Sequence, residues 1–204
     1  MAYNDFSLAK VKNNFGLTLD ESYNLFGDLL PVLPSTTLRT LLSDYIPLAT
    51  SISTEKARSE FLIAPILAEV RRLLNNEVSL FCGNEFNVDA QRGLQGFCDY
   101  IISGSKEQLY INAPVAIIFE AKKEDIIGGL GQCVAAMVAA QLFNQNKGNE
   151  VERIYGSVTT GTTWKFLFLE GSIVYIDEIE YYIKEVDKII GILLQPFETV
   201  LAAV

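Results

Sequence analysis

The segment that most limits the fold is 114–122, PVAIIFEAK. With side chains alternating, Val115, Ile117, Phe119 and Ala121 share one face, and Ala116, Ile118, Glu120 and Lys122 share the other. Both faces are apolar until the C-terminal end, where Glu120 and Lys122 project on the same side. Such a strand belongs in the interior of a sheet covered on both sides, which needs helices as outer layers.

The rest of the chain supplies strands and helices in an order that fits. Residues 1–53 read as an irregular, partly helical N-terminal extension packed on a core at 54–204, together one structural domain. Thr18-Leu19-Asp20-Glu21 has capping-box form ahead of a short helix through Leu25 and Phe26, and Ser35 caps a second short helix ending before Pro47. From Thr54 to about Asn75, apolar residues recur every three or four positions, with Pro65 expected to bend the helix. Strands are expected at 78–88, interrupted at Gly83, then at 94–102 and 114–122. The turn GGLG at 128–131 introduces a helix to about Asn144. Strands follow at 153–159, 164–169 and 172–176, then helix from Lys184 with a break at Pro196. The implied class is α/β (α+β), a mixed central sheet flanked by helices.

Composition removes whole chemistries. There is no histidine, so Ser-His-Asp triads, Cys-His pairs and His-ligated zinc are excluded. Cys82, Cys98 and Cys133 lack metal-type spacing, and their sparse, odd count suits a reducing, cytoplasmic setting, where they serve as small buried hydrophobes. Residues 1–15 show no secretory h-region, and the apolar run 134–143 is shorter than a bilayer requires, so no membrane partner is expected. With 25 acidic against 16 basic residues the net charge is −9, which opposes coating nucleic acid through bulk charge but permits a small site on an acidic body.

The chemistry concentrates in 97–122. Phe97, Asp99 and Ile101 share a strand face, so Asp99 sits between large apolar neighbours where an unpaired carboxylate is costly. If this strand neighbours 114–122, Asp99, Glu120 and Lys122 converge at one sheet edge. Two carboxylates with water suit Mg²⁺, and an adjacent lysine can stabilise charge developing on a phosphate. The same residues also allow a plain solvated ion pair, with Asp99 in a structural hydrogen bond.

The pattern Gly96-Phe97-Cys98-Asp99-Tyr100, followed by Ile117-Ile118-Phe119-Glu120-Ala121-Lys122, resembles the PD-(D/E)xK nuclease superfamily, with its restriction-endonuclease-like fold. The surrounding frame is similar too: a helix bearing Glu60 before the strands, one bearing Gln132 after them, and then the strand and T-x-G–W hairpin at Tyr155–Phe166. The resemblance covers roughly 54–194. It implies a Mg²⁺-dependent nuclease, with Mn²⁺ as substitute, acting on DNA. Asp99, Glu120 and the Ala121 carbonyl would be metal ligands, Lys122 the catalytic lysine, Glu60 a carboxylate near the metal, and Gln132 a glutamine beside the site. Cys98 replaces the proline of the motif. Position 136 is alanine where the glutamine-bearing subgroup has tyrosine.

Weaker candidates are Thr160, Thr162, Trp164 and Lys165 in the hairpin, Arg71, Arg72 and Lys123 on helix and loop, and Gly128-Gly129-x-Gly131 as a phosphate cradle. Each also reads as ordinary packing or a solvated face. A second functional class stays open: a non-catalytic interaction or dimerisation module on a nuclease-like fold, working as a homodimer or with a basic accessory protein. A carboxylate-pair glycosidase, a third reading, does not require the adjacent lysine.

Overall fold

In the computed structural model, which describes residues 1–198, a seven-stranded mixed sheet lies between two helical layers. The strands are β1 (Thr18–Asp20), β2 (Ser79–Glu85), β3 (Phe97–Ser103), β4 (Val115–Ala121), β5 (Arg153–Thr159), β6 (Thr163–Glu170) and β7 (Ile173–Tyr182), in the spatial order β1-β7-β6-β5-β4-β3-β2. β4 pairs parallel with β5 and antiparallel with β3, so it lies inside the sheet, and each of its residues is buried.

Alternation along the strands divides the core. Trp164, Phe166 and Phe168 of β6 join Ile117 and Phe119 of β4 on one side, under helices α2 (Thr36–Ile52), α4 (Ala64–Leu73) and α6 (Val186–Leu194). Leu167, Leu169 and Ile118 face α1 (Leu8–Phe15) and α5 (Ile126–Asn146) on the other. Val115 and Ala116 depart from the expected faces, Val115 joining the α5 side, next to a register shift at Ile102/Ser103. α5 is apolar all round because it is enclosed. By length and composition it could cross a membrane, but 67% of its apolar window is buried against the rest of the protein.

Several local expectations are corrected. Thr18–Asp20 is a strand, not a helix start: the open edge of β7 offers parallel partners, and the Thr18 amide donates to the Ser172 carbonyl at 2.9 Å. Ser35 does cap α2, but the helix passes through the exposed Pro47 to Ile52, because Leu38, Leu42 and Ala49 pack on one face across the proline. The helix from Thr54 is continuous but mixed. A short α3 (Glu55–Arg58) runs into a π turn (Ser59–Ile63) and then α4, the wide turn falling just before Pro65, where an α-helical carbonyl would meet the ring. β7 extends to Tyr182, well beyond the expected strand. The GGLG segment lies within the first turns of α5, whose N-cap is Asp125. Residues 199–204, assigned to the C-terminal segment of the core, lie outside the described residues.

Candidate active site

At the C-terminal end of β4 the sheet changes character. The β3–β4 ladder runs to Tyr100 opposite Phe119, and the same register brings Asp99 opposite Glu120. There, in place of a backbone carbonyl, the Asp99 carboxylate takes the next donor: Oδ2 accepts from the Ala121 amide at 2.7 Å. On the far side β4 continues in ladder with β5, the Lys122 amide donating to the Thr159 carbonyl at 2.9 Å. The Glu120–Lys122 segment is thereby held by the Asp99 carboxylate on one flank and by the β5 main chain on the other.

Glu120 is only 4% exposed. Lys122 Nζ donates to its Oε1 at 2.6 Å and to Gln132 Oε1, on α5, at 3.2 Å. The small residue at Gly129 makes this position available: a Cβ there would lie 2.7 Å from Val158 Cγ1 and 3.1 Å from Lys122 Cγ and Cε. Gly131 is equally constrained, because a Cβ would lie 2.3 Å from the Phe6 carbonyl oxygen. The glycines are therefore packing residues, and no phosphate cradle forms at 128–131.

A cleft of about 430 Å³ opens over this end, lined among others by Glu55, Ser59, Glu60, Cys82, Asp99 and Ala121. The wide π turn is pinned to its floor where Ser59 and Tyr100 join hydroxyls at 2.6 Å. Burial, followed by the Asp99 charge, pushes Glu120 up to about 8 against the opposing Lys122 hydrogen bond. Burial also raises Asp99, with the Ala121 amide working against it and the Glu55 charge adding to it. Burial disfavours the charged form of Lys122, yet the hydrogen bond to Glu120 and the surrounding carboxylates leave it raised.

Asp99, Glu120, Lys122 and Gln132 thus converge as the sequence suggested. Glu60 reaches the cleft, but its carboxylate, 54% exposed, is engaged by Lys56 at 2.8 Å. The helical acid whose charge acts on Asp99, Glu120 and Lys122 is Glu55, which the sequence pattern does not single out. The one available signal is its place a turn before the Ser59 that bonds Tyr100. Cys82 is an exposed residue of the cleft wall, unlike the buried Cys98 and Cys133. Trp164 is packed, its indole N–H on the Gly161 carbonyl. Lys165 donates to the Glu178 carbonyl, Arg72 pairs with Glu69 at 2.8 Å, Arg71 donates to the Val78 carbonyl, and Lys123 pairs loosely with Glu124. These are structural or surface contacts.

Among the described residues, Asp99 Oδ1 and Glu120 Oε2 receive no protein hydrogen bond and neither is a buried orphan, and Asp99 lines the cleft. Two repelling carboxylates with free oxygens fit a hard divalent cation. Among the described residues no group of three or more Cys, Asp or Glu side chains is gathered around a metal position. Comparison of the chain with family models, with curated proteins and with solved structures finds no match.

Proposed function

We propose that the protein is a Mg²⁺-dependent nuclease of restriction-endonuclease-like fold, hydrolysing DNA phosphodiester bonds at the end of β4. The observation that carries this reading is the pairing of Asp99 and Glu120 across adjacent strands, each with a free oxygen, beside a lysine tethered by Gln132. Asp99, Glu120 and the Ala121 carbonyl would hold Mg²⁺, or Mn²⁺ in its place. When bound, the ion polarises the scissile phosphate and lowers the pKa of a coordinated water. Lys122 supplies a fixed ammonium toward developing negative charge. Gln132 orients that ammonium without neutralising it. Asp99 fixes the strand end through Ala121, and Glu55 deepens the negative potential that favours a cation.

The test is purified protein with Mg²⁺ or Mn²⁺ on single-stranded, duplex and branched DNA, beside Glu120→Ala and Lys122→Ala. Cleavage lost in both variants supports the site. Cleavage that persists in both removes it.

A specific observation also supports the interaction-module reading. Lys122 already neutralises Glu120 internally, and the cleft wall carries Glu55, Glu60 and Asp99 against Lys56. Such a wall repels a DNA backbone unless a cation, a second copy or a basic accessory protein supplies positive charge. Thermal unfolding across a Mg²⁺ titration separates the two readings. A stabilisation abolished by Asp99→Ala belongs to the enzyme, and no shift at millimolar Mg²⁺ belongs to the module.

A further inference from the structure

Arg58 is incompletely paired in a place where that is costly. Its Nη1 donates to the Thr160 carbonyl at 3.3 Å and to Thr162 Oγ1 at 3.0 Å. Its Nε is buried without a partner. Among the described residues Nη2 has no protein partner either and, not being buried, it reaches the surface. No carboxylate pairs with Arg58 among the described residues, whereas Arg72, Arg92 and Arg153 each have one. Arg71 also bonds neutral acceptors, but it leaves no buried nitrogen unmet. A guanidinium has five donors, and leaving some of them unmet at partial burial has a desolvation cost.

Its surroundings hold it in place. Gly161, at φ +80°, lets the hairpin turn close on the helix: a Cβ there would lie 3.1 Å from Leu62 Cβ and 3.2 Å from the Arg58 carbonyl oxygen. Thr160 follows the Thr159 that bonds Lys122, so this turn sits at the same sheet end as the acid pair. On the helix, Arg58 lies one turn after Glu55 and beside Ser59, both of which line the cleft. The only carboxylate within that helical reach, Glu55, is directed to the acid cluster.

We propose that Arg58 is the phosphate-holding residue of this site, and that its free guanidinium edge takes a non-scissile phosphate of the DNA strand whose neighbouring phosphodiester lies at Asp99 and Glu120. This rests on the nuclease reading and deepens it, because it places the first positive contact to the substrate backbone beyond Lys122. Arginine suits this role because its charge is permanent and because Thr160 and Thr162 fix its plane in advance. The turn positions the charge, and the charge positions the strand.

The experiment measures equilibrium binding of a short single-stranded oligonucleotide as a function of salt, in a Glu120→Gln background that is expected to abolish cleavage and carries one less negative charge. Replacing Arg58 by Gln is expected to weaken binding about tenfold or more and to reduce the slope of log affinity against log salt by about 0.7, the value for one single-strand phosphate contact. Arg58→Lys is expected to restore the slope. If Arg58→Gln does not fold, the arginine Nε–H resonance of Arg58 in the Glu120→Gln protein, assigned by its loss in Arg58→Lys, is followed on addition of the oligonucleotide, and a shift is expected. Binding with an unchanged slope, or an unmoved resonance, overturns the inference and leaves the nuclease reading standing. Absence of any binding, together with absence of cleavage by the wild type, overturns both.

Discussion

The two ends of β4 are finished by the same device with opposite consequences. At its start, the Asn144 side chain from α5 stands in for a strand: its Oδ1 accepts from the Val115 amide and its Nδ2 donates to the Val115 carbonyl, each at 2.8 Å. Asn144 is 1% exposed, neutral, and satisfied in both directions. At its end, the Asp99 carboxylate stands in for a strand with one oxygen and keeps the other free. An amide at a strand end satisfies both the backbone donor and the backbone acceptor and carries no charge. A carboxylate leaves spare acceptor capacity and a charge that burial raises in free energy, and a cation can relieve both. One end is therefore structural and the other chemical, although each answers the same local demand for a partner.

The comparison can be broken most sharply at the chemical end. Lys122→Ala is expected to lower Mg²⁺-dependent cleavage by about 10²–10³-fold, as for loss of one charge-stabilising donor, with little change in melting temperature. Steady-state cleavage rates and thermal melts, read together, check this. Asn144→Ala should do the reverse. It strips partners from two buried backbone groups, at about 1–3 kcal/mol each, and the melting temperature should fall by several degrees while cleavage per folded molecule stays near wild type. Equal loss of activity in both variants would erase the distinction between the ends.

Gly129→Ala probes whether the lysine's position matters apart from its charge. The added methyl must displace Val158 or Lys122, while alanine gains about 1 kcal/mol of helix propensity. Activity is expected to drop about tenfold or more, since small misplacements are expensive in catalysis, with stability nearly unchanged. Cleavage rates and thermal melts of this variant beside wild type decide it.

A further effect is on pH. Glu120 titrates near 8 in the folded state, above its ordinary value of 4.5, and Asp99 is raised as well. Between those pH values the native protein retains protons that the unfolded chain has released. Stability without metal should therefore be greatest below about pH 4.5 as far as these groups decide it, and should decline as pH rises toward 8, by up to about 1.4 kcal/mol per pH unit per proton. Denaturant unfolding at pH 5, 6.5 and 8 reads this slope. Glu120→Gln should flatten it, and Mg²⁺ should stabilise more at pH 8 than at pH 5.

Much of this is visible in the chain itself. The period-two segments locate β4 and β5 closely, because strands buried on both faces carry strong local patterns. Asp99, Glu120 and Lys122 are legible as neighbours because alternation along two adjacent strands places them at one sheet end. What stays hidden depends on distant partners. Thr18–Asp20 becomes a strand only because β7 has a free edge, and Pro47 is tolerated only because the face opposite it packs. Arg58 gains meaning from a turn roughly a hundred residues away, and Glu55 from the charged groups at the ends of β3 and β4, which no local pattern records. Glu60 draws attention in their place because it lies beside the apolar stripe, yet its neighbour Lys56 satisfies it.

The π turn at Ser59–Ile63 has a mechanical consequence. A turn that closes five residues apart instead of four holds one residue more than an α-helix would. Everything before it is therefore rotated in phase, by about 100°, relative to the stripe that α4 presents to the core. α4 can direct Ile66, Leu67 and Val70 into the sheet while Glu55, Arg58 and Ser59 remain aimed at its end. Deleting a single residue from the turn would straighten the helix and swing that trio out of alignment while α4 kept its seat. The extra residue works as a phase adjuster between a packing surface and a working one.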